Sequence, residues 1–200
     1  VRVIMTAAMP FYLGLAATAE PLVLTMLGPK WLEAVPVVRV LALAMPFMTI
    51  QVLLSPACDA LGRPGVSARN GATGAVLLTI AYLVGIQWGV MGLAWSWLVA
   101  YPVYLGISLD RSLPIIGVTP AQMWEACVPP IIASCAMALL VMGANDLLPM
   151  MPAAIRLVLL IAVGGLVYAT WLNVFSRTLV GELIAVARRH PLPPAPVPAE

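Results

Sequence analysis

Residues 28–46, GPKWLEAVPVVRVLALAMP, decide the fold. A short polar turn, Gly28-Pro29-Lys30-Trp31, separates two long apolar runs. An α-helix needs ~20 mostly apolar residues to cross a hydrocarbon core of ~30 Å. Runs this long read as helices, because within lipid every backbone N–H and C=O must find its partner inside its own segment. The second run carries Arg39, about one helical turn inside it. A guanidinium at that depth is costly unless it has a partner or faces water, so it marks a candidate functional position.

The composition around this stretch is of one kind. The 200 residues are 62% hydrophobic and 9% charged, with a mean hydropathy of +1.03. Soluble domains average about half apolar and about a quarter charged. A chain this short cannot hide that much apolar surface from water, so its solvent is lipid. The net charge of +2 and the lack of a basic run interleaved with aromatics point away from nucleic acid. The chain opens VRVIMTAAMP without an initiator Met. Its first apolar run extends to about Leu27, too long for a signal h-region, and no small-residue cleavage site ends it. The expectation is a fragment that lacks its N-terminal part. Cys58, Cys127 and Cys135 form no CxxC and have no nearby His, and read as membrane-buried thiols.

Six apolar runs follow one another: 3–27, 34–60, 71–86, 90–109, 126–144 and 154–174. The fold class is therefore an all-α integral membrane protein with six transmembrane helices. Pro10 and Pro21 interrupt the first run, and Pro36, Pro46 and Pro56 the second. Interior prolines remove a backbone bond, so these two helices are expected to be bent and to line a cavity. The polar stretch LGRPGVSARN, 61–70, reads as a basic turn. The third and fourth runs meet at GIQWGVMG, 85–92, a tight joint with Trp88 at headgroup level. Gly71, Ala72, Gly74 and Ala75 open the third run and permit close helix approach. After Asp110-Arg111 a longer connection is expected, SLPIIGVTPAQMWEA, 112–126, lying at the interface with Trp124 as anchor. Residues 145–152 join the last two runs, residues 178–189 form an amphipathic piece, and HPLPPAPVPAE is a Pro-rich tail in which His190 stands alone.

Six crossings place both ends on one side. That side receives Arg2, Arg63, Arg69, Arg111, Arg177, Arg188 and Arg189, and the other Lys30, Arg39 and Arg156. The excess of arginine predicts cytoplasmic ends.

No enzyme constellation stands out. There is no paired acid, no His/Cys cluster and no GxxxxGK[ST] loop, so no metal and no cofactor is expected. What remains is a few polar residues at membrane depth. Glu20 precedes Gly28 by eight residues, ~12 Å along a helix, so it lies at a depth similar to Arg39. The two can pair across the hairpin as a purely structural contact, or Arg39 can snorkel to the interface. The functional reading is that Arg39 faces a central cavity and attracts an anion such as a phosphate, which its planar fork of donors suits. Glu20 would then orient the arginine or take up a proton. Gln51 lies further along the same helix and joins them as a candidate cavity residue, while Asp59 and Arg63 read as an ordinary interfacial pair.

Longer motifs go beyond this. PLVLTMLGPKWLEAVPVVRVLALAMP, LLSPACDALGRPGVSARN and GIQWGVMGLAWSWLVAYP together resemble the C-terminal half of bacterial oligosaccharide flippases. These form the polysaccharide-exporter branch of the multidrug/oligosaccharidyl-lipid/polysaccharide flippase superfamily. The motifs are G-x-x-W-x-x-A at Gly28, Trp31 and Ala34, A-L-G-R at Ala60 to Arg63, and G-x-x-G-x-A-W at Gly89 to Trp95. The likeness covers about residues 1–113, and the last two helices match only in hydropathy. It implies two pseudo-symmetric lobes around a central cavity, of which this chain supplies the second lobe, 1–113, plus two trailing helices, 114–177, and a cytoplasmic segment and tail, 178–200. It also implies an undecaprenyl-diphosphate-linked oligosaccharide as substrate, the bacterial inner membrane as location, and membrane lipids and the missing N-terminal lobe as partners. Only Arg39 receives a role from it. Other readings are a multidrug or cation antiporter using Glu20, a membrane enzyme of glycan assembly, or a lobe that merely packs against a partner.

Overall fold

The computed structural model describes residues 2–148 and 151–175, with side chains as far as residue 172. All regular structure among the described residues is helical. The elements are α1 (Arg2–Ala17), α2 (Ala19–Met26), a 3₁₀ turn (Pro29–Ala34), α3 (Val35–Ala60), α4 (Pro64–Gly85), a second 3₁₀ turn (Ile86–Trp88), α5 (Gly89–Ile116), α6 (Pro120–Leu147) and α7 (Ala153–Phe175). Four stretches are long and apolar enough to cross a membrane, and α1 with α2 makes a fifth if that bent pair is one span. Residues 176–200, with Arg177, the amphipathic piece and His190, lie outside the described residues.

Local chemistry explains the breaks. α1 and α2 meet at 75°. Pro21 has no N–H, and its ring crowds the carbonyl four residues back, on Ala17, where α1 stops. Thr18 adds to the bend by donating its hydroxyl to the Gly14 carbonyl at 2.8 Å. Gly28 then turns the chain at φ 87°, a conformation that a side chain would strain. Gly89 does the same at φ 68° between α4 and α5.

α4 and α5 fold back on each other as an antiparallel hairpin. Tyr82 stacks on Trp97, Ser96 donates to the Ala81 carbonyl at 2.8 Å, and Asn70 donates to Ser112 at 3.0 Å. At the tip the two backbones touch. A Cβ on Gly92 would collide with the Gly85 carbonyl, and one on Gly85 would meet the Gly92 carbonyl oxygen at 2.6 Å. Gly92→Val is therefore expected to splay the hairpin and cost ~1–3 kcal/mol, read as a lowered midpoint in a detergent unfolding titration. An unchanged midpoint would mean that the tip is not close-packed.

Two expectations fail here. The stretch 61–70 is not a turn throughout: α4 starts at Pro64, and only residues 61–63 are non-helical. The stretch 112–126 is not a long connection: α5 runs on to Ile116, α6 starts at Pro120, and only residues 117–119 are non-helical. Asp110 and Arg111 do not stop α5 because both stay exposed, Arg111 donating to Thr73 on α4 at 2.7 Å. α6 starts early because Thr119 and Gln122 form a reciprocal capping box, with Pro120 at the first turn, where a missing N–H costs nothing.

α5 packs between α3 and α4, α1 packs on α3 and α6, and α7 packs on α6 and against α2. Met5, Met9, Ile50, Leu54, Leu105 and Cys127 join α1, α3, α5 and α6. A second cluster, including Ala133, Met137, Val141 and Leu160, joins α6 to α7. Tyr168 ties α7 back to α1 through a 2.7 Å bond to the Thr6 carbonyl. The outside is lined with Val76, Ile80, Leu83, Val99, Leu139 and Leu166, a surface for hydrocarbon rather than water.

Candidate functional site

Three helix ends bring charge to one end of the bundle: α2 just after the bend, the start of α3 and the start of α7. Glu20 sits in the first turn of α2, where the helix dipole favours a carboxylate. Its partner is Arg156, in the first turn and a half of α7, whose Nη2 donates to Glu20 Oε1 at 3.0 Å. The Arg156 side chain is 10% exposed and the Glu20 side chain 41%. The Arg156 Nε is buried and has no hydrogen-bond partner. The guanidinium is thus bound through one edge only, and a further acceptor could satisfy the rest.

Arg39 does not join this pair, so of its possible readings the structural contact with Glu20 is the one not formed. It lies on the exposed face of α3 with Leu43 one turn on, and makes no ion pair among the described residues. Position along an apolar run does not give the helical angle of a side chain. The buried face of α3 passes through Val35, Val40, Ala42, Ala44 and Ile50, and Arg39 falls outside it. Arg156 had a signal of its own, since it too is an arginine inside an apolar run. The sequence does not join it to Glu20, because 136 residues separate the two.

Gln51 is buried and faces α5, where its Nε2 donates to Ser108 Oγ at 3.1 Å. The structure does not bring it together with Glu20 or Arg39: it lies 12 residues beyond Arg39, ~18 Å along α3. Asp59 and Arg63 form no ion pair among the described residues; both are exposed, and the backbone there closes through Arg63 N–H on the Cys58 carbonyl.

Beside the Glu20–Arg156 pair an apolar groove of about 490 Å³ runs between α1, α6 and α7. Phe11, Gly14, Leu22, Val141, Leu160 and Gly164 are among its lining residues, and Thr18 and Leu22 bring it up to the turn that bears Glu20. The site therefore combines a guanidinium with a free edge, a carboxylate at a helix break and a long hydrocarbon-like slot. No group of three or more metal-ligating side chains occurs among the described residues.

No family model, no curated protein and no solved structure matches this chain.

Proposed function

We propose that this chain is half of a bacterial inner-membrane flippase that moves undecaprenyl-diphosphate-linked oligosaccharide between leaflets during polysaccharide biosynthesis. The supporting observation is the arginine–glutamate pair at a 75° break in an apolar helix, next to an apolar groove. Ionisable groups at membrane depth are rare and cluster on transport pathways. A lipid-linked diphosphate needs both parts: donors for its phosphates and a slot for its tail. The sequence motifs quoted above supply the rest of the reading.

Six passes follow once the α4–α5 hairpin counts as two and α1 with α2 as one. Arg2, Arg63, Arg69 and Arg111 then collect at one end of the bundle, and Lys30, Arg39 and Arg156 at the other. By the excess of arginine the first end is cytoplasmic, and the charged site faces the periplasm. Arg39, on a face of α3 that no described helix covers, would line the cavity against a second lobe and meet the diphosphate. Glu20 is engaged by Arg156, which takes away the unpaired carboxylate that a cation antiporter of the same superfamily would use.

The experiment is transport of a fluorescent undecaprenyl-diphosphate oligosaccharide across proteoliposomes containing the polypeptide that carries this chain. Protein-dependent exposure of the sugar on the far leaflet is expected. Uptake of a lipophilic cation under an imposed ion gradient, with no movement of the glycolipid, would replace this reading with the antiporter.

A further inference from the structure

A different part of the bundle has an unmet chemical need. Gln51 on α3 and Asn70 on α4 are 6% and 0% exposed, and each donates through its side-chain nitrogen to a serine of α5. Those serines, Ser108 and Ser112, are 0% exposed and one turn apart on the same face. Each amide oxygen is left without a donor: Gln51 Oε1 and Asn70 Oδ1 are buried and unpartnered. Turning an amide about does not repair this. The serine hydroxyl has one proton, so it could then serve the oxygen, but the NH₂ group would be the orphan. The deficit belongs to the set of side chains, not to one orientation.

The neighbourhood is polar in the same way. Tyr104 lies on the same face of α5 as Ser108, and its phenol covers Gly74 on α4, one turn from Asn70. In an apolar interior an unmet carbonyl is costly, and both of these lie where α3 and α4 meet α5. Ser108 and Ser112 are themselves small side chains at this level.

We infer that the junction of α3, α4 and α5 holds buried water, hydrogen-bonded to Gln51 Oε1 and Asn70 Oδ1. Water supplies the protons that these two acceptors lack. A hard cation suits the site less well. The oxygens present are two amide carbonyls and two hydroxyls, all neutral, and both hydroxyls already accept from an amide. The inference does not depend on what the protein transports.

Radiolytic hydroxyl labelling of the protein in lipid nanodiscs tests it, because radicals formed from bound water oxidise side chains that bulk water does not reach. Leu54, one turn from Gln51, and Leu160, in the α6–α7 interior, are a matched pair at 2% and 1% exposure. Leu54 is expected to label at least about fivefold faster than Leu160 because water lies beside it. The double substitution Gln51→Leu with Ser108→Ala should bring Leu54 toward the Leu160 rate. Equal rates in the wild-type protein would overturn the inference without recourse to any variant. Loss of Leu54 labelling when sodium replaces choline in the buffer would overturn it in favour of a bound cation.

Discussion

Replacing Arg156 with Ala is expected to unpin α2 from α7 and abolish transport, with a measurable loss of stability. The argument starts from the bend. Pro21 frees a carbonyl at Ala17 and leaves α2 as an eight-residue helix lying at 75° to α1. So short a helix has little stability of its own and depends on what it packs against. Ala19 and Val23 anchor it to Val35 of α3, and the Glu20–Arg156 bond is its polar tie to α7. Breaking a fully buried ion pair costs ~3–5 kcal/mol, because one charge remains uncompensated. Here Glu20 is 41% exposed and can be rehydrated, so about 1–3 kcal/mol is expected instead. Glu20→Gln should cost less than Arg156→Ala, since the amide still accepts from Nη2. The swap Glu20→Arg with Arg156→Glu should recover part of the loss. A detergent unfolding titration on the single and double variants gives the coupling between them, and a coupling of zero would mean that the bond contributes nothing.

The second large effect lies at Arg39, and its character should be the opposite. Arg39 is exposed and makes no ion pair among the described residues, so Arg39→Ala should change stability by less than about 0.5 kcal/mol. It should nevertheless abolish glycolipid transport at normal membrane abundance. Arg39→Lys should rescue only partly, because an ammonium is a point charge and cannot hold a phosphate through two parallel bonds. The two arginines thus separate by readout: loss at Arg156 moves both unfolding and transport, loss at Arg39 moves transport alone. Full activity in both Arg39 variants would remove that residue from the mechanism.

How much of this was legible in the sequence follows from what each signal encodes. Run length and hydropathy report depth, and the apolar runs became helices close to where the composition places them. The joint at 85–92 was visible because glycine is needed where two backbones touch, as Gly85 and Gly92 do. Pro21 was visible as a bend for the same kind of reason. Hydropathy does not encode the direction in which a side chain leaves its helix. Arg39 and Glu20 do not pair, and the carboxylate bonds instead to Arg156, 136 residues further along the chain. The connection 112–126 was misread because a polar pair at 110–111 looks like a helix end. A helix tolerates such a pair on its exposed side, and the capping box at Thr119 marks the real boundary. Gln51 was recognised as an unusual polar residue, but its need for a second partner appears only when Asn70, Ser108 and Ser112 are placed around it.

The most direct measurement is transbilayer movement of undecaprenyl-diphosphate-linked oligosaccharide in proteoliposomes, comparing the unaltered polypeptide with its Arg39→Ala and Arg39→Lys variants at matched incorporation. The account expects movement with Arg, a reduced rate with Lys and none with Ala. Equal rates for all three, or no movement by a protein shown to be folded, would contradict it.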